Sequence, residues 1–335
     1  MPQGSAGYAI GRISVRNRGR LDAAKLDRLL AAQQPQEAQA ILQEMGWGGG
    51  EKVPVGGAVS GSGDFERLVV EHTRQACAFV REVSPDANAT DCFMIRYDIH
   101  NLKILLKARC LGQEPEYLSP CGTLGIGLLR HAVAEGKYTG LPDELAGPLA
   151  ELEKRLAVKE DPLDIDVTLD RAMFRWVFGR LGRVKSKAIK KYFTARADLL
   201  NALIVLRVRA MGRSAAFLKD MLIPGGEVDL RKWEEAYSRD ETLPRLLAGY
   251  GRRVTEAVSA AVKDPGALHN LERVADDYLL SLFVPYRMRA DTLETVIGYL
   301  LAQEREAAAV RLVMAGKLNG FSAMEIRERL RELYG

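Results

Sequence analysis

The chain has 335 residues and a mass of 37.0 kDa, long enough for two or three domains. Its 47% hydrophobic and 27% charged content excludes a disordered chain, and no apolar run reaches the ~18 residues of a spanning helix. A net charge of +4 is too mild to imply a nucleic-acid partner. An aromatic share of 7% in a chain rich in Ala, Leu, Arg and Glu predicts a mainly α protein.

From Met1 to Arg20 the chain is Arg-rich, lacks an apolar h-region and has no acid before Asp22. A basic first helix is expected there, with a transit peptide as the other reading. Gly46 to Gly63 is glycine-rich with little to bury and predicts a flexible link. Cys77, Cys92, Cys110 and Cys121 show no C-x-x-C spacing and are expected to be reduced thiols acting as small hydrophobes.

Asp98-x-x-Asn101 then leads into Leu102, Leu105 and Leu106 and ends at Gly112, followed by Pro120-x-Gly122-x-Leu124 and Leu141-Pro142. Leu152 and Leu156 keep helical spacing. The pattern returns as Asp198-x-x-Asn201, Val205, Leu206 and Gly212, then Pro224-x-Gly226-x-Val228 and Leu243-Pro244. Val254, Val258, Ala261 and Val262 mark a further helix, and a degraded third copy runs from Glu306 through Val310, Leu312 and Val313 to Gly320. In each copy the acid precedes the glycine by 14 residues, about four helical turns. The repeat predicts three related helical lobes, 1–117, 118–223 and 224–335. Two readings of its landmarks stand: an acid that N-caps a helix with a glycine that stops it, or a shared functional contact. Ser322-x-x-Glu325 has the spacing of a capping box, and Ile326, Leu330 and Leu333 follow it on one helical face.

Between the first two copies lies the strongest charge feature. Arg171 to Arg196 holds nine Lys or Arg and no acid, leaving the remainder at −5, and Trp176, Phe178, Tyr192 and Phe193 are interleaved with it. Arg180, Arg183, Lys185, Lys187, Lys190 and Lys191 form a candidate interaction face for anionic headgroups or an acidic protein. A helical nucleic-acid-binding scaffold using the same segment is the alternative, and plain solvation a third reading.

Catalytic chemistry finds no such concentration. Gly179, Gly182 and Ser186 have the wrong spacing for a P-loop. His72, His100, His131 and His269 show no i, i+4 pair for a metal, and Ser60 and Ser62 lack the context of a nucleophile elbow. Asp276-Asp277 and Glu234-Glu235 occupy adjacent helical positions that do not converge, so they are expected to be solvated. No catalytic, metal or cofactor residue is predicted.

The segment Tyr97-Asp-Ile-His-Asn-Leu-Lys-Ile-Leu-Leu-Lys-Ala108 resembles the one that marks the C subunit of bacterial and archaeal V/A-type ATPases, the counterpart of the eukaryotic d subunit. Glu294 to Leu300, Glu304-Arg-Glu306, Val310-Arg-Leu312, Gly316 to Gly320 and Ile326 to Leu330 are similar to the same family. The chain departs from it in the glycine-rich stretch from Gly46 and in Ala309, which stands where a third Asn would fall. The resemblance implies an all-α fold of three lobes closing into a funnel with pseudo-threefold symmetry. It implies a non-catalytic adaptor, without cofactor or direct nucleotide, between the central stalk and the membrane rotor ring. Such an adaptor couples ATP hydrolysis or synthesis to ion transport, peripheral on the cytoplasmic side of the membrane and without a transmembrane segment.

Overall fold

The computed structural model describes residues 11–13, 16, 20–47, 63–115, 117–287, 289 and 292–334. Most of the predicted basic first helix and nearly all of the glycine-rich link lie outside them. Among the described residues every regular element is helical. The chain divides into two compact units, one built from 1–87 with 283–335 and the other from 88–282.

The first unit holds α1 (Ala23–Ala31), α2 (Pro35–Glu44), α3 (Gly63–Val83), α14 (Leu293–Leu318) and α15 (Ala323–Arg329). Asp22 caps α1 through the Lys25 N–H, and Pro35 opens α2 where a missing N–H costs nothing. The 26-residue α14 is buried on most of its circumference, because α3 packs along it while α2 and α15 cover other faces. Small residues make that approach possible: a Cβ on Gly316 would lie 2.6 Å from Ile326 Cγ1, and one on Gly298 2.6 Å from the Tyr334 hydroxyl. Leu29, Leu42, Trp47, Val69, Val310, Val313 and Ile326 meet in one apolar core, so the two ends of the chain close a common interior. Ser322 and Glu325 form the capping box of α15. That helix stops at Arg329, so Leu330 and Leu333 reach the core from an extended tail rather than from the helical face expected.

The second unit runs through α4 (Ala87–Cys110), α5 (Ile126–Glu135), α6 (Asp143–Leu156), α7 (Pro162–Leu181), α8 (Lys187–Ala210), α9 (Ala215–Met221), α10 (Leu230–Tyr237), α11 (Thr242–Leu246), α12 (Arg252–Lys263) and α13 (Leu268–Ser281). Helices α6 and α7 pack as an antiparallel pair across a five-residue turn, and α13 packs on both α12 and α8. The long helices α4 and α8 carry the first two repeat copies. Both are buried around much of their surface, consistent with a stack of helices at close approach. Lys107–Asp166 and Lys103–Asp170 tie α4 to α7, and Arg109–Glu153 ties α4 to α6. Cys92 and Cys121 are buried here, as is Cys77 in the first unit.

Candidate interaction site

The acids and asparagines of the repeat are buried while its glycines Gly112, Gly212 and Gly320 are exposed, and the N-capping role expected of the acids is corrected. Asp98, Asp198 and Glu306 sit in the middle of α4, α8 and α14, while Ser186 and Thr292 cap the latter two helices. A carboxylate withdrawn from water needs donors, and each acid takes them from a distant loop instead of its own helix end. Asp98 accepts from the Thr123 N–H at 2.5 Å, the Thr123 hydroxyl at 2.8 Å and the Leu124 N–H at 3.1 Å. Asp198 accepts from the Glu227 N–H at 2.8 Å, the Val228 N–H at 3.3 Å and the Tyr250 hydroxyl at 2.5 Å.

Asn101 and Asn201, one turn further along, each clasp the same loop by two bonds. Asn101 donates to the Ser119 carbonyl and accepts from its N–H, both at 2.8 Å. Asn201 does so with Ile223, also at 2.8 Å. The recurring glycine of the loop is a steric requirement: a Cβ on Gly122 would stand 1.9 Å from Asp98 Oδ1, and one on Gly226 1.9 Å from Asp198 Oδ1. The third copy is looser. Glu306 accepts from the Leu21 N–H at 3.1 Å and from Arg20 Nε at 2.8 Å, and the loop it holds precedes α1 near the start of the chain. Burial holds the Asp198 and Glu306 carboxyls above their ordinary values, against the hydrogen bonds that favour the ion. Gly112, Gly212 and Gly320 have φ of +61°, +61° and +74° and end the three long helices in the left-handed turn that glycine accommodates.

The basic segment covers the second half of α7, the turn 182–186 and the first ten residues of α8. Of its aromatic residues Trp176, Tyr192 and Phe193 are each 4% exposed and offer no face for stacking a base, while Phe178 is half-buried with its ring 6.0 Å from that of Phe174. Arg196 is turned inward onto the Tyr192 hydroxyl at 3.0 Å, and the six candidate cations divide into two groups. Arg180 pairs with Glu144 at 2.9 Å and lies over the Trp176 ring, and Lys191 pairs with Glu227 at 2.7 Å. Arg183, Lys185 and Lys187 are exposed and Lys190 half-buried, and none of the four has an acidic partner among the described residues. Adjacency along the chain groups all six together, and only the positions of Glu144 and Glu227 divide them.

Of the other candidates, His100 and His131 are exposed and His269 Nδ1 lies 2.6 Å from the Gly266 carbonyl. His72 stacks on Trp47 with centroids 3.7 Å apart, and burial pushes its pKa down to about 4. Asp277, expected in solvent, is instead buried on the inner side of α13 with Arg273 3.8 Å away. No cluster of His, Cys, Asp and Glu suited to a metal occurs among the described residues. A cavity of about 610 Å³ opens between α4, α7, α8 and α9, lined by Ile204, Met211, Met221 and the Lys103–Asp170 pair. Among the described residues no helix is long and apolar enough to cross a membrane.

A family model for the ATP synthase (C/AC39) subunit matches residues 9–329. Curated relatives include the C subunit of the V-type sodium ATPase of Enterococcus hirae, 26% identical over 81% of this chain and 83% of that protein. The C subunit of the A-type ATP synthase of Methanothermobacter thermautotrophicus is 24% identical over 79% of this chain and 74% of its own length. The C subunit of the V-type ATP synthase of Deinococcus radiodurans is 22% identical, covering 96% of this chain and 90% of that protein.

Proposed function

The chain belongs to the ATP synthase (C/AC39) subunit family, and from that premise we propose that it is the non-catalytic rotor adaptor of a V/A-type ATPase. It links the central stalk to the membrane rotor ring and so couples ATP hydrolysis or synthesis to ion transport. The observation that carries this reading is the family match along 9–329, backed by relatives named as C subunits of V-type and A-type machines. In the same proposal the three lobes, divided at 117/118 and 223/224, close into a funnel with pseudo-threefold symmetry. Arg20 and Leu21 of the first lobe hold Glu306 of the third. The chain then sits peripherally on the cytoplasmic side of the membrane.

The local structure suits a part that carries torque. Long helices of 24 and 26 residues are cross-linked to distant loops by buried carboxylate and amide bonds, and closely packed interiors transmit strain rather than absorb it. A tagged copy recovered from native membranes in mild detergent is expected to bring stalk and ring subunits with it. Recovery of the chain alone, or with nucleic acid, would refute the adaptor role.

A further inference from the structure

The four cations without an acidic partner are clustered within eight residues of chain, where the turn between α7 and α8 enters α8. Arg183 and Lys185 lie on the turn itself, and Lys187 and Lys190 in the first turn of α8. Their neighbours Arg180 and Lys191 engage Glu144 and Glu227, so these two acids are already matched.

The position works against the helix. The N-terminal end of a helix carries a partial positive charge that favours acids. Helix α6 begins with Asp143 and Glu144, and α7 has Asp164 in its first turn, yet the first turn of α8 has no acid and two lysines. Like charges gathered at the positive end of a 24-residue helix are an arrangement that an anion from outside relieves.

The composition narrows the class of anion. Leu181, Val184, Ile189, Trp176, Tyr192 and Phe193 all point inward and are buried, so the turn presents no apolar anchor. Protein interfaces concentrate Arg and aromatic residues and are depleted in Lys, and single-stranded nucleic acid calls for exposed rings. Three lysines and one arginine on a turn, with mobile stems and point charges, match a plane of phosphate groups whose positions are not fixed. We infer that the segment 182–190, the turn and the first residues of α8, is a contact for the anionic phospholipid headgroups of a bilayer surface, made by Arg183, Lys185, Lys187 and Lys190 without insertion into the acyl region. The inference rests on the proposed adaptor role, which sets the chain beside a membrane, and adds a lipid contact on the chain itself.

The test uses the purified full chain and sedimentation with phosphatidylcholine vesicles, plain or carrying phosphatidylglycerol as about one lipid in three. Binding is expected to the anionic vesicles alone and to vanish between ~0.01 M and ~1 M salt, as the screening length falls from about 30 Å to about 3 Å. The fourfold variant Arg183→Ala, Lys185→Ala, Lys187→Ala, Lys190→Ala is expected to bind several hundred-fold more weakly, at about fivefold per cation. A scattered variant of equal charge, Lys219→Ala, Arg231→Ala, Lys232→Ala, Arg245→Ala, is expected to stay within about threefold of the parent. Circular dichroism checks that both fold. Equal binding to plain vesicles, equal loss in the two variants, displacement by inorganic phosphate at low millimolar level, or tighter binding to RNA would each overturn the lipid assignment.

Co-purification separates the two readings. If the fourfold variant leaves the vesicles but stays with ATPase subunits, the lipid contact and the adaptor role both stand. If it keeps its vesicle affinity but loses those subunits, an acidic protein surface takes the place of lipid. A parent chain that binds anionic vesicles and never co-purifies with ATPase subunits would overturn the adaptor role alone.

Discussion

Substituting Gly226 by Ala tests the loop clasp directly, because the backbone there is not in the left-handed region and an alanine meets no conformational penalty. The obstacle is the Asp198 carboxyl: the new methyl would lie 1.9 Å from Oδ1 and 2.6 Å from Cγ. One of the two has to move by more than an ångström. The carboxylate then loses its alignment with the Glu227 and Val228 N–H groups, now at 2.8 and 3.3 Å, and with Tyr250. Bonds to a charged acceptor are worth about 1.5–3 kcal/mol each, and overpacking adds about 1–3 kcal/mol. Partial relaxation sets the expected loss for Gly226→Ala at about 3–4 kcal/mol. Asp198→Ala is expected to cost about 3 kcal/mol for the donors it orphans, reduced by release of a carboxyl that burial already disfavours as an ion. In the Asp198→Ala background the obstructing atoms are gone, so adding Gly226→Ala should cost under about 1 kcal/mol, a coupling of at least about 2 kcal/mol. Urea unfolding followed by the fluorescence of the buried tryptophans Trp47, Trp176 and Trp233 and by circular dichroism measures the four proteins, with coincident transitions as the check on two-state behaviour. Additive losses, or a Gly226→Ala protein as stable as the parent, would refute the clasp.

The same cycle at Gly122 and Asp98 should give coupling of the same sign, since the approach of the added methyl to the carboxyl is again 1.9 Å; urea unfolding of that second set decides it. Arg20→Ala leaves Glu306 buried without its guanidinium and should cost about 3 kcal/mol, while Glu306→Gln in that background should recover part of it. Thermal denaturation reads this pair, and an Arg20→Ala protein with unchanged melting would contradict it. Gly212→Ala, at φ +61°, should cost about 1 kcal/mol by strain alone and show no coupling to Asp198→Ala in urea unfolding. His72 has a folded pKa of about 4 against 6.5 unfolded, so between those values the unfolded chain binds the extra proton. Stability from this group is full above pH 6.5 and falls by about 2–3 kcal/mol as pH drops to 4. His72→Phe, which keeps a ring against Trp47, should flatten that limb of a pH–stability curve by one proton.

The glycine ends of the repeat are legible in the sequence because a left-handed stop is a local event. Gly112, Gly212 and Gly320 need nothing beyond their own φ. The capping box at Ser322 is legible for the same reason, its two partners lying three residues apart. The role of the acids is not legible, because the spacing from acid to glycine records half of a helix, and nothing local marks where α4, α8 and α14 begin. Asp98 finds its donors 25 and 26 residues away, and Glu306 finds Leu21 at a separation of 285. The signal that points to the clasp is already present in Gly122 and Gly226, which recur at the same place in the repeat, but its meaning needs the carboxyl beside them.

Composition, helical period, the recurring Asp-x-x-Asn and Pro-x-Gly landmarks and the family blocks are properties of neighbouring residues, and the chain alone determined them. They amount to an all-helical protein of repeated lobes in the ATP synthase (C/AC39) subunit family. Tertiary structure decided which polar groups are buried and which cations keep an acid. Arg180 and Lys191 are neutralised by Glu144 and Glu227, each 36 residues distant, while Arg183, Lys185, Lys187 and Lys190 are left without an acid among the described residues. Charge and burial are fixed by what the fold brings within a few ångströms, and Coulomb attraction and desolvation depend on that distance rather than on separation along the chain.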